Sequence, residues 1–247
     1  MTGSGGMGVW RIDEPAAGPG RVLDDAGAVR AMVCDRNPLA DAGAVAPERG
    51  GAGAVVAWTG WYGRRDGSGV TPLDPRVWTD AGWSAFEAAC GMIAGATGGG
   101  HGVWFRPHAR HVLGDAQRCR VAARGWAERG QGFGLLLEPA ALLTPSMLEA
   151  AADHIARMLE AVGDSPALAG IVASDLELVE RDDEPGPAGR AVAFGRGALG
   201  AEAFIEGVRL AGGVPGGAPV LVHAGADGAA ASLPRDNAAT PGRDAGP

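Results

Sequence analysis

The sequence contains no lysine; all of its basic residues are arginine. Alanine and glycine are abundant, so the simplest explanation is a GC-rich coding genome rather than an arginine-specific function. Basic charge is also scarce overall. The formal net charge of -8 leaves no basic surplus for the counterion displacement that a general nucleic-acid binder needs. Cys34, Cys90 and Cys119 are few, odd in number, far apart and free of any Cys-x-x-Cys spacing. They read as reduced core thiols and point to a cytoplasmic setting. No early segment joins a basic start to an uninterrupted apolar core, which leaves a signal peptide unsupported. No apolar run approaches the roughly 18 residues of a membrane span. Solenoid-type repeats are missing. Ser146 and Ser174 lack the Gly-x-Ser-x-Gly elbow that a serine hydrolase of the elbow type requires.

What remains is a chain of 247 residues, 46% of them hydrophobic, which is enough to bury one barrel-sized core. Its centre is the stretch from Gln131 to Leu148. Phe133 to Leu137 is apolar without alternation, as in a strand covered on both faces. It stops at Glu138-Pro139, and Thr144-Pro145 then opens an amphipathic helix over 146–162. A buried strand, a polar residue at its end and then a helix form the unit of α/β folds, whose ligands bind at that strand end.

Six further strands are expected, at 8–12, 29–34, 54–58, 102–108, 168–173 and 219–222. Helices are expected over 78–94, 115–129 and 200–211, with a brief one over 21–26 ended by Gly27. Residues 1–7 read as a mobile start, 8–224 as the folded domain and 225–247 as a disordered tail. The acidic run Glu177, Glu180, Asp182, Asp183 and Glu184 reads as a solvated loop. His154, inside the central helix, reads as solvated beside Asp153.

The segments Phe194-Gly195-Arg196-Gly197-Ala198-Leu199, Ala203-Phe204-Ile205 and Pro219-Val220-Leu221-Val222-His223 resemble the closing unit of the sugar phosphate isomerase/epimerase family. Gly8-Val9-Trp10-Arg11 is similar to that family's second strand, and Val33-Cys34 to its third. The resemblance implies an α/β fold, a TIM barrel of the xylose-isomerase-like type, lacking the first strand. Metal-dependent members hold a divalent cation with Glu, Asp, His and Glu from successive strand ends. Here Arg106 stands at the first position, Glu138 at the second, Val172 at the third and His223 at the last. An arginine at about 4 Å repels a cation, so the usual metal site is substituted and no cofactor is expected.

The activity implied is a proton shift in a keto sugar or polyol, with Glu138 as base and His108 or His223 as partner. Arg106, Trp58, Trp61 and Asp175 would bind the ligand, a small sugar or sugar phosphate. Neither nucleic acid nor membrane is an expected partner, and a homo-oligomer is allowed. The alternative is a degenerate barrel that binds a small ligand or a protein without turnover. A metal-dependent phosphodiester hydrolase, as in the AP endonucleases of the same superfamily, is opposed by the acidic charge.

Several residues read two ways. His108, His111, Glu138, Asp175 and His223 could hold Mn, Mg or Zn in a rearranged site, or simply line a solvated pocket. Arg106 is either an anion clamp or the partner of Glu138 on the neighbouring strand. Trp58, Trp61 and Tyr62 either stack on a sugar ring or plug the mouth. Gly195-Arg196-Gly197 is either a phosphate cradle or a tight turn.

Overall fold

The computed structural model describes residues 8–14, 20–45, 53–64, 70–99, 102–181, 184, 186–224, 226 and 233. Its nine strands are β1 Val9–Asp13, β2 Gly20–Leu23, β3 Val29–Val33, β4 Ala54–Trp58, β5 Val103–Arg106, β6 Gly134–Leu137, β7 Leu168–Val179, β8 Ala188–Ala193 and β9 Val220–His223. The helices are α1 Asp80–Thr97, α2 Ala116–Glu128, a short α3 Pro139–Leu142, α4 Ala151–Val162 and α5 Ala201–Leu210.

Eight strands close a barrel in the order β1-β2-β3-β4-β5-β6-β7-β9, with β9 returning to β1. All its pairings are parallel except those of β2, which runs antiparallel to both neighbours. No strand is missing from the ring. The eighth strand is β2, where the sequence predicts a brief helix over 21–26. Gly27 does adopt the left-handed conformation expected of a helix cap, φ 79°, but it closes a hairpin instead. There the Asp24 carboxylate accepts from the N–H groups of Ala26 and Ala28, and Ala28 C=O accepts from Asp24 N–H. The same backbone freedom serves both kinds of turn.

Helices follow β4, β5 and β6 and precede β9, whereas β1, β2 and β3 follow one another directly. The regular strand–helix alternation expected from the sequence is therefore not present around the whole ring. Where helices cover the wall, outward residues such as Phe105, Leu135, Leu137, Ile171 and Val222 join the core beneath them. Phe105 alone meets Phe86, Trp126 and Phe133 at 5.3, 5.5 and 5.3 Å between ring centres. On the uncovered wall the outward residues Arg11, Asp13, Arg21 and Arg30 are exposed.

Two more differences follow from polar residues read as endings. β7 runs past Ser174-Asp175 to Val179, and its extension pairs antiparallel with β8. The chain over 146–162 is a tight turn, Pro145–Ala150, followed by α4. Cys90 and Cys119 are buried, while Cys34 is half-buried rather than a core thiol. No described helix is long and apolar enough to cross a membrane. Residues 1–7 lie outside the described residues, as does most of 225–247. Of that stretch Ala226 and Leu233 are described, and both are buried.

Strand alternation sorts the barrel interior into layers. Ile12, Val22, Ala31, Val56, Leu136, Val172 and Leu221 fill the middle, with Trp10 and Trp104 stacked at 6.4 Å against them. Trp104 has room because its neighbour on β6 is Gly134. A Cβ at Gly134 would lie 2.4 Å from Trp104 Cδ1 and 2.9 Å from Ala169 Cβ. Gly134→Ala is expected to destabilise the protein by about 1–3 kcal/mol in urea unfolding, because neither a tryptophan ring nor a strand can withdraw cheaply. Trp104→Leu should recover part of that loss.

Candidate functional site

Continuing the alternation upward gives the layer above the apolar core. Ile12 leads to Glu14, Val33 to Asp35, Val56 to Trp58, Trp104 to Arg106, Leu136 to Glu138, Val172 to Ser174 and Leu221 to His223. Every one of these lies at or just past the C-terminal end of a parallel strand, or within the long strand β7 as it leaves the barrel wall. On every barrel strand but β2 and β4 a polar side chain follows the apolar ones at this level.

Arg106 is the hub. Its Nε donates to Glu138 Oε2 at 2.5 Å and its Nη2 to Glu138 Oε1 at 3.0 Å, a two-pronged pair between neighbouring strands. Its Nη1 donates to Glu14 Oε1 at 3.0 Å. β1 and β5 are four strands apart in either direction round the eight-stranded ring, so this second pair spans the mouth. The guanidinium carbon also lies 4.8 Å from the centre of the Trp58 ring. Side-chain exposure is 5% for Arg106, 0% for Glu138, 15% for His223 and 38% for Glu14.

Burial by itself would push the Arg106 guanidinium down, but the Glu138 and Glu14 charges outweigh it and hold it above the ordinary arginine range. Burial likewise favours a protonated Glu138. The Arg106 charge and its two hydrogen bonds prevail and hold that carboxyl well below the usual glutamate range. His223 bridges the two acids, with Nδ1 3.6 Å from Glu14 Oε2 and Nε2 3.8 Å from Glu138 Oε1. Its Nε2 is 3.5 Å from Arg106 Nη2.

The remaining predicted site residues go elsewhere. Asp175 points out of the barrel, and its carboxylate accepts from the N–H groups of Leu176, Gly197, Leu199 and Gly200. It organises the turn before α5, far from the ligand and metal roles expected of it. The same bonds occupy the N–H of Gly197, and a Cβ there would lie 2.3 Å from Leu176 C=O, so Gly195-Arg196-Gly197 is a packed turn rather than an open cradle. Trp58 gives one ring face to Arg106 and its Nε1–H to Asp35 at 2.8 Å. Trp61 is buried and stacks on His111 at 5.1 Å, with His108 4.9 Å from His111. These aromatics plug the mouth.

His108 and His111 belong to that packing. Among the described residues, no group of three or more His, Cys, Asp or Glu is disposed to hold a metal. Glu184 is not a solvated loop residue. Its carboxylate, nearly buried, pairs with Arg110 at 2.6 Å and Arg181 at 3.1 Å, and Glu177 pairs with Arg190 at 2.6 Å. His154 is half-buried on α4.

Sequence reasoning missed Glu14. It follows β1 by one residue, so extending the alternation Trp10, Ile12, Glu14 would have found it.

Glu138→Gln should cost about 3–5 kcal/mol in urea unfolding, because it leaves the guanidinium buried without its nearest countercharge. Folding depresses the pKa of Glu138, so its contribution is complete above the ordinary glutamate value of 4.5 and lost as the pH falls below it. Stability measured from pH 6 downward should therefore fall more gently in Glu138→Gln than in the parent. No family model, curated protein or solved structure matches this chain, so the chemistry of the rim rests on its own residues.

Proposed function

We propose that the chain is a diverged TIM-type barrel of the sugar phosphate isomerase/epimerase kind, acting in the cytoplasm as a binding module for a small sugar or sugar phosphate. The observation that carries this reading is the Arg106 guanidinium between Glu138 and Glu14, at the level where metal-dependent members of that family hold a cation. An ion pair there supplies polarity and hydrogen-bonding capacity without Lewis acidity.

The same geometry opposes Glu138 as a proton-shuttling base. Both of its oxygens already accept from Arg106, and a carboxylate held this far below its usual range takes up a proton poorly. His108 is likewise engaged, its Nδ1 accepting from Arg110 N–H at 3.1 Å.

A second reading keeps turnover, with His223 as the base. It is favoured by the position of that imidazole, partly open to solvent and facing a carboxylate from each of its ring nitrogens. No metal would take part in either case.

Thermal-shift and calorimetric titrations with pentoses, hexoses and their phosphates test the binding reading, which expects a saturable shift with at least one of them. Incubating the bound ketose in D2O and following its carbon-bound protons by NMR separates the two readings. The binding module predicts no exchange. Exchange abolished by His223→Ala would replace it with the isomerase. A stoichiometric divalent ion in the purified protein would remove both.

A further inference from the structure

The donors of Arg106 are divided unequally. Nε and Nη2 are committed to Glu138, a carboxylate with no exposed surface on the adjoining strand. Nη1 is held by Glu14, which reaches from the opposite wall with a side chain 38% exposed. Releasing Glu138 would strand two charges in the interior, whereas releasing Glu14 returns a carboxylate to water. One donor of a buried cation is thus held by a removable acceptor.

A second observation concerns Ser174. It is fully buried, it lies in the inward-facing layer of the rim, and its hydroxyl makes no hydrogen bond. The register Ala173↔Val222 places it beside His223 on the neighbouring strand. A buried hydroxyl left unmatched is costly, and it is normally satisfied by water or ligand.

We infer that Glu14 occupies the place of an anionic ligand group, and that the rim takes a small molecule whose carboxylate or phosphate displaces Glu14 from Arg106. The anion then meets Nη1 of Arg106, the imidazole of His223 that faced Glu14 at 3.6 Å, and the Ser174 hydroxyl. A guanidinium edge with added N–H and O–H donors suits either oxyanion. Glu14 makes the empty site self-neutralising and sets the threshold an incoming anion must exceed. This rests on the rim being the ligand site, and it narrows the ligand class from sugars to sugar phosphates or sugar acids.

The test is calorimetric titration of the full chain, Glu14→Ala, Glu14→Gln and Glu14→Ala/Ser174→Ala with inorganic phosphate and acetate, with circular dichroism as the check on folding. Glu14→Ala should bind one of the two anions about 10-fold or more tighter than the parent, the worth of one charge-assisted hydrogen bond. Glu14→Gln, which keeps an acceptor but not the charge, should fall between, and the double variant should lose the gain. Equal affinities in the parent and both Glu14 variants, or no anion binding by any of them, overturn the inference. A gain that persists in full without the Ser174 hydroxyl removes the serine from the site. Ribose and ribose 5-phosphate as further probes separate the two levels. If ribose binds while phosphate and acetate gain nothing, the anion site falls and the sugar-binding rim stands. If an anion gains and neither ribose probe binds, the reverse holds.

Discussion

A guanidinium withdrawn from water needs its countercharges in place, and the mouth of this barrel is arranged to supply them. Arg106 meets Glu138 on the neighbouring strand and Glu14 on the opposite wall. The second contact is available only if the sheet closes, because β1 and β5 are brought face to face by the ring alone. Closure and charge satisfaction are therefore one condition. An open sheet would keep the pair with Glu138 but leave Nη1 of the arginine without its acceptor from the far wall. The Trp58 ring against the guanidinium then excludes water from the pair and strengthens it.

Beneath that level the barrel is filled rather than hollow. Trp10 and Trp104 stack at one end, branched aliphatic residues follow, and Gly134 clears the volume the Trp104 indole needs. Chemistry is thereby confined to the rim, where Glu14 and His223 are the members of the Arg106 network with exposed surface. The β7–β8 ribbon and the Arg110–Glu184–Arg181 cluster tie further chain to the residues bordering that rim. Their contribution is to position the surrounding segments, since none of these groups contacts Arg106 in the described structure.

An ion pair and a metal ion differ in what they can do at such a rim. A divalent cation polarises bound oxygens and lowers the pKa of its ligands' protons, whereas a guanidinium binds and orients without accepting electron pairs. Glu138, bonded through both oxygens to Arg106, has given up the basicity that a proton shuttle needs. Such a centre suits recognition of polar, anionic groups better than carbon acid chemistry.

Much of this was legible beforehand. The strands expected at 54–58, 102–108, 133–137 and 219–222 announce themselves as short apolar runs, and in the structure each ends at the residue now found at the rim or one residue before it. The Arg106–Glu138 pair follows from two unlike charges ending neighbouring strands. β2 was not legible, because Gly20-Arg21-Val22-Leu23 places one apolar residue inward and is followed by a glycine turn that also fits a helix end. Nor was the fate of Asp175, whose neighbour Ser174 faces inward while it faces out. A single residue of phase separates a rim ligand from a turn-former, and phase is set by pairing. Local pattern thus determined which residues terminate strands and that an arginine and a glutamate end two neighbouring ones. Only the closed ring decided that Glu14 reaches that arginine from the far wall, because contacts across a diameter depend on strand order and register, which no stretch of sequence carries alone.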